Sequence, residues 1–170
     1  MAKFTLKEIV DVTGGELKQL PEGVNPETYV IDGMSTDTRV IEKGNLFLAL
    51  IGENFDGNKY AVAAANDGAS ALVLSTMEYA PENTPAVLVP DTKTALEKIA
   101  GAYRLKLGCK VVAVTGSVGK TSTREMIASS LSRGKRVYAT KNNNNNEIGL
   151  SLTILNTPED TEVIVLEMGM

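Results

Sequence analysis

With 170 residues, 43% apolar content, 17 basic and 21 acidic side chains, the chain is sized for one domain or two small ones and has a net charge of −4. It has no His, no Trp and one cysteine, Cys109, which excludes an internal disulfide, a multi-cysteine zinc site and imidazole chemistry. The charge is −5 up to Gly108 and +1 from Cys109 onward; no basic face suited to nucleic acid is expected, and an anionic ligand must be held by local donors.

No run of about 18 apolar residues exists, so membrane insertion is not expected. Met1-Ala2-Lys3-Phe4-Thr5 lacks the apolar stretch of a leader. The expectation is a soluble, cytoplasmic protein with an aliphatic core.

In chain order, Thr5 followed by Glu8 predicts a capping box and a helix to about Val12, ended by Gly14-Gly15. Tyr29-Val30-Ile31 and Leu46 to Leu50 read as strands, with a turn from Arg39 to Gly44 between them. The alanine-rich stretch Asn58 to Asn66 reads as a helix closed by Gly68. Ala71-Leu72-Val73-Leu74 and Ala86-Val87-Leu88-Val89 are short apolar strands. Asp91 caps a helix to about Leu107, stopped by Gly108. From Cys109 the pattern is strand 110–114, glycine loop, helix 120–133, strand 136–139, asparagine run, helix 148–155 and strand 163–166. Strands alternating with helices predict a parallel α/β sheet. The organisation expected is a small α/β domain, residues 1–106, followed by the front half of a parallel-sheet domain, residues 107–170. Three strands in about 60 residues leave a raw sheet edge, so the remainder of that sheet is expected to come from elsewhere.

The chemistry concentrates at Thr115-Gly116-Ser117-Val118-Gly119-Lys120-Thr121-Ser122. Strand, glycine loop, Lys-Thr and helix form a cradle for nucleotide phosphates: backbone N–H groups and the positive helix end face the anion. Lys120 would reach the terminal phosphates and the Thr121 hydroxyl would sit on Mg²⁺. The usual spacing G-x-x-x-x-G-K-[ST] would place a glycine at Val114; here the earlier glycine is Gly116. An ordinary glycine-rich turn is the plainer alternative. Thr140 to Gly149, with five consecutive asparagines, is either low-complexity sequence or part of a site. Glu167, ending the apolar strand, is either a solvated terminal residue or a carboxylate facing the loop to hold a metal. Asp37 and Arg39 taken alone read as a surface ion pair of little energetic value.

Together these segments resemble the Mur ligase family, ATP-dependent enzymes that add amino acids to the cell-wall precursor. Thr115–Ser122, Thr140–Gly149 and Glu167-Met168-Gly169 align with its T-G-[ST]-x-G-K-T-[ST], T-x-G-N-x-N-N-x-I-G and E-M-G segments. Ser35 to Arg39, Gly44 to Phe47 and Gly52 to Gly57 align with S-x-D-[ST]-R, G-[DN]-x-F and G-x-x-x-D-G. Departures are Asn142 for glycine, Ser151 for proline and Asn58 for histidine. The resemblance implies ATP and Mg²⁺ as cofactors, with nucleotide contacts from Gly116, Ser117, Val118, Gly119, Lys120, Thr121, Ser122, Asn143 and Asn146. It implies metal contacts from Thr121 and Glu167, and catalytic roles for Lys120 and Glu167. Substrate contacts fall to Ser35, Thr36, Asp37, Arg39, Asn54 and Asp56, which would hold the UDP end of a UDP-N-acetylmuramoyl-peptide. The reaction implied is amide formation through an acyl phosphate, with D-alanyl-D-alanine as the incoming amine and the full enzyme a monomer. The family's closing C-terminal domain is not encoded here, so the 170 residues are expected not to complete ligation alone. Two other classes remain open on the residues themselves: a phosphate-loop kinase or NTPase, and a non-catalytic module binding a UDP-linked ligand.

Overall fold

The computed structural model describes residues 2–140 and 145–169. The chain divides into two compact units, one spanning Lys3–Ile99 and the other running from Ala100 onward and including Ala2.

The first unit is built on a five-stranded mixed sheet. Its strands, in spatial order, are β2 (Glu16–Gln19), β9 (Ala86–Leu88), β8 (Ala71–Leu74), β5 (Leu46–Leu48) and β4 (Met34–Ser35). β4, β5, β8 and β9 are parallel; β2 closes the edge antiparallel to β9. β5 and β8 are buried at every position, which explains their continuous apolar sequence. β2 alternates exposed and half-buried residues, as an edge strand does. Two small ribbons complete the unit: β1 (Lys3–Thr5) against β3 (Val30–Asp32), and β6 (Ile51–Gly52) against β7 (Phe55–Asp56).

Helix α1 (Leu6–Thr13) has the expected capping box. The Glu8 N–H donates to Thr5 Oγ1 at 3.2 Å and the Thr5 N–H donates to Glu8 Oε2 at 2.8 Å. Gly14 ends the helix at φ 69°. The alanine-rich segment splits into a 3₁₀ turn, Gly57–Tyr60, and helix α2 (Ala61–Asn66). Ala61 and Ala64 lie in a core with Phe47, Ala49, Leu72 and Leu74, where small side chains permit close helix–sheet packing. A Cβ on Gly57 would come within 2.5 Å of the Leu50 carbonyl oxygen, so only glycine fits that crossing. Asp91 caps helix α3 (Thr92–Leu107), accepting from the Lys93 N–H at 2.8 Å. The boundary between the units falls within α3.

The second unit holds a three-stranded parallel sheet in the order β10 (Lys110–Val114), β12 (Val163–Glu167), β11 (Val137–Ala139). The central strand β12 is buried throughout, while β10 and β11 are partly exposed. Helix α4 (Lys120–Leu131) covers one face, packing Ile127, Ala128 and Leu131 on Val114, Val163 and Val165. Helix α5 (Glu147–Leu155) carries buried Gly149, Ser151, Thr153 and Leu155. The Tyr103 hydroxyl donates to the Thr157 carbonyl at 2.8 Å, and burial pushes its pKa up to about 12. The parallel α/β architecture expected from Cys109 onward is therefore present. The first unit differs in mixing parallel and antiparallel strands. Among the described residues no helix is long and apolar enough to cross a membrane.

The α1 cap yields a direct test. Thr5→Ala removes the acceptor for the Glu8 N–H and is expected to cost about 1 kcal/mol of unfolding free energy, read by urea denaturation.

Candidate functional site

The site is assembled where β10 and β12, adjacent and parallel, both end. β10 leads into the glycine loop and β12 delivers Glu167 beside it, since Val114 is in register with Glu167. Within the loop Gly116 has φ 142° and Gly119 has φ 79°. Both values suit glycine and penalise other side chains, which fixes why glycines bracket Ser117 and Val118. Val118 is 90% exposed and adds nothing to a core.

Gly119 is the N-cap of α4 and provides no side-chain acceptor. Helix α1 is capped by Thr5, α3 by Asp91 and α5 by Asn146, whose carboxamide oxygen accepts from the Gly149 N–H at 2.7 Å. Helix α4 thus presents its first-turn N–H groups without a side-chain cap, an arrangement that suits an anion. The Lys120 ammonium folds back across the loop to donate to the Gly116 carbonyl at 2.7 Å.

Glu167 is 3% exposed and its carboxylate is met by three side chains, two from α4 and one from the segment before α5. The Thr121 hydroxyl donates to Oε2 at 3.0 Å, the Arg124 guanidinium donates to Oε2 at 3.1 Å, and the Asn145 carboxamide donates to Oε1 at 3.2 Å. The Glu167 N–H donates to Thr140 Oγ1 at 3.0 Å, which pins the end of the strand. Gly169 donates to the Asn145 carbonyl at 2.7 Å, and a Cβ there would stand 2.7 Å from that oxygen. The E-M-G segment and the asparagine run therefore meet as backbone. A cavity of about 510 Å³ is lined by Gly119, Lys120, Thr121, Ser122, Asn145 and Glu167.

Thr121 Oγ1 and Glu167 Oε2 are hard oxygen donors on one wall of that cavity. They fit a Mg²⁺ ion that keeps waters and takes the rest of its ligands from phosphate. Among the described residues no group of three or more His, Cys, Asp or Glu is placed to hold a metal ion.

The expected loop residues are thus brought together. Asn143 lies outside the described residues. The Asn146 side-chain oxygen caps α5. Two contributors were not anticipated: Arg124, one turn beyond Lys120 on the same helix face, and Asn145, inside a run whose members look alike in sequence.

In the first unit, Thr36, Asp37 and Arg39 line a cavity of about 570 Å³ with Thr38, Phe47, Phe55 and Tyr60. Phe55 and Tyr60 stack with ring centroids 5.4 Å apart and were not singled out in the sequence. Arg39 pairs with Asp37 through Nε at 2.9 Å and Nη2 at 2.6 Å, and Asp37 also accepts from the Arg39 N–H at 3.0 Å. These bonds hold the Asp37 carboxyl down at about 2. Ser35 is buried and accepts from the Asp37 N–H at 3.1 Å. Asp56 accepts from the Asn58 backbone and carboxamide at 3.0 and 2.8 Å, and Asn58 in turn bonds to Ser75. Asn54 is exposed in the β6–β7 turn. The expected substrate residues therefore split: Thr36, Asp37 and Arg39 face the cavity, while the Ser35 and Asp56 side chains hold the local backbone.

Comparison with known proteins covers both units. Two family profiles match: Mur ligase family, catalytic domain, over residues 30–104, and Mur ligase middle domain, over residues 114–170. The chain is 45% identical over 173 residues to the UDP-N-acetylmuramoyl-tripeptide–D-alanyl-D-alanine ligase of Bacillus subtilis (strain 168), covering 100% of this chain and 36% of that protein. It is 37% identical over 169 residues to the ligase of the same name from Escherichia coli (strain K12), covering 99% of this chain and 35% of that one. Among solved structures, MurF from Acinetobacter baumannii matches with a TM-score of 0.86 at 30% identity, over 100% of this chain and 36% of that one. MurF ligase from Thermotoga maritima in complex with ADP matches with a TM-score of 0.70 at 34% identity, over 80% of this chain and 31% of that one. The chain spans about a third of the length of the relatives it matches.

The Asp37–Arg39 pair sets a pH dependence. Because the folded pKa of Asp37 lies below its ordinary 3.8, the pair's contribution is present above that value and is lost as pH falls through about 2. A carboxyl-carbon NMR titration should place the Asp37 midpoint near 2, and Arg39→Ala should return it toward 3.8.

Proposed function

The chain belongs to the Mur ligase family, and from that premise we propose that it carries the nucleotide-binding and UDP-substrate parts of an ATP-dependent ligase joining D-alanyl-D-alanine to a UDP-N-acetylmuramoyl-tripeptide. One observation carries the nucleotide half. An uncapped helix N-terminus, the Lys120 ammonium and the Thr121–Glu167 oxygen pair line a single cavity.

In this reading the first-turn amides of α4 and the loop amides hold the β- and γ-phosphates of ATP. Lys120 leaves the Gly116 carbonyl for a phosphate oxygen, exchanging a neutral acceptor for a charged one. Thr121 and Glu167 hold Mg²⁺, which when bound neutralises charge developing on the transferring phosphoryl group. The substrate carboxylate attacks the γ-phosphorus and ADP leaves, giving an acyl phosphate. The amine of the dipeptide then attacks the acyl carbon and phosphate leaves. The chain's part in the first step is positioning and charge neutralisation, because two anions must be brought together.

The first unit, within residues 1–106, holds the UDP end. Its cavity combines a polar wall, Thr36, Asp37 and Arg39, with the exposed aromatic pair Phe55 and Tyr60. A pyrimidine nucleotide has a flat ring for the second and oxygens for the first. ATP and a UDP-linked precursor are cytoplasmic metabolites, and the reaction is accordingly assigned to the cytoplasm.

Two substitutions test the division of labour. An ATP analogue at 100 times its Kd should raise unfolding free energy by about 2.7 kcal/mol. Lys120→Ala should abolish that shift, while the ligand-free protein stays within about 0.5 kcal/mol of the parent because the side chain serves the ligand. Arg39→Ala should weaken stabilisation by UDP-N-acetylmuramoyl-peptide and leave the nucleotide shift intact. Equal losses of both shifts would break the assignment of one ligand to each unit.

A further inference from the structure

We propose that Arg124 is a positioning residue that holds Glu167 from behind and lowers its affinity for a bare cation, so that metal binding depends on the nucleotide. The proposal rests on reading Glu167 as the metal-holding carboxylate.

Glu167 has two sides. Its carboxylate lines the loop cavity together with Thr121 and Asn145. Arg124 lines a separate cavity with Val137, Tyr138, Ala139 and Thr140. Arg124 is not among the residues lining the loop cavity, so it pairs with the carboxylate from outside the space a cation would take. Both groups are buried, at 6% and 3% exposure, and their N–O separation is 3.1 Å. Arg124 also reaches the exposed Glu125 at 3.3 Å.

The helix supplies the geometry. Thr121 and Arg124 are three residues apart on α4, so they share a face and both donate to Oε2. Asn145 holds Oε1 from another segment. The carboxylate is thereby fixed in rotation by three donors, with its charge largely spent on a permanent cation. A divalent ion entering the cavity meets a carboxylate already neutralised, and gains less from it than from an unpaired one. Phosphate oxygens arriving with the nucleotide restore the missing negative charge. Metal and nucleotide then bind with positive coupling, and that coupling is reciprocal.

Mn²⁺ is the probe, its free concentration read by electron paramagnetic resonance, with and without ADP. In Arg124→Met the nucleotide-free Mn²⁺ Kd should fall about tenfold, from the loss of one nearby unit charge, and the enhancement by ADP should shrink correspondingly. Arg124→Lys keeps the charge and should stay close to the parent. Arg124→Gln keeps a donor without the charge and should behave as Arg124→Met, so the result stands if the methionine variant folds poorly. Unchanged or weaker Mn²⁺ binding in the neutral variants overturns the proposal. The control is Glu167→Gln, which should lose Mn²⁺ binding. Binding equal to the parent in that variant overturns the metal reading of Glu167 itself, whatever the Arg124 variants do.

Discussion

The site depends on one buried carboxylate. Glu167 ends a fully buried strand, and at 3% exposure its charge is largely withdrawn from bulk water. Such a charge survives only when paired and hydrogen-bonded, and removing one partner of a buried pair costs about 3–5 kcal/mol. Here the partners come from α4 and from the segment before α5, so placing the carboxylate also places the glycine loop's helix and the asparagine segment around it. A hydrophobic residue at 167 would pack the same strand end at less electrostatic cost, but would leave no oxygen facing Thr121.

The open end of α4 follows the same logic. Three other helices satisfy their first turn with Thr5, Asp91 and Asn146. A cap of this kind is worth about 1 kcal/mol. Helix α4 forgoes it for Gly119, which takes the left-handed conformation at the helix start and lines the cavity. In its place the Lys120 ammonium closes the loop on Gly116, a bond that a phosphate can replace. The loop thus has an internal partner that holds its shape and gives way to a stronger one.

Much of this was legible in sequence because the signals were chemical as well as periodic. The capping box at Thr5 and Glu8, the parallel strands from Lys110 onward and the Lys120–Thr121–Glu167 set are each specified by residue type at fixed spacing. The edge strand β2 was not, because Glu16-Leu17-Lys18-Gln19 has a single apolar residue and pairs on one side. The β6–β7 ribbon is two residues on each strand, too short for alternation to register. Arg124 was missed although it sits four residues after Lys120. A basic residue on a helix reads as solvated surface until a carboxylate on a strand 43 positions away is brought beneath it. Asn145 was missed for the opposite reason: among five identical neighbours, spacing alone does not select one. Asp56, read from the motif as a substrate residue, also organises the Asn58–Ser75 network through Oδ1, a role that spacing alone does not reveal.

Net charge shapes how each unit handles an anion. Over Lys3–Ile99 the chain carries 8 basic and 15 acidic side chains, a net charge of −7, so a diphosphate approaching the first unit meets a repulsive field at long range. At physiological ionic strength that field decays within about 8 Å, and capture then falls to short-range donors. Arg39 fits this role in a particular way. Its guanidinium is held in a fork on Asp37, exposed to solvent and adding little to stability. In the proposed reading, what the pair supplies is orientation: a pre-positioned donor at the cavity wall that does not have to be ordered when ligand arrives. Near the glycine loop the balance is different. From Cys109 onward the chain is at +1, and Arg124 pairs with Glu167, the carboxylate buried against the loop cavity. In the proposed reading, the loop can then attract a polyphosphate without repulsion from the acid assigned to the metal. The same arginine that makes Glu167 tolerable in the fold thereby makes it compatible with the anion beside it.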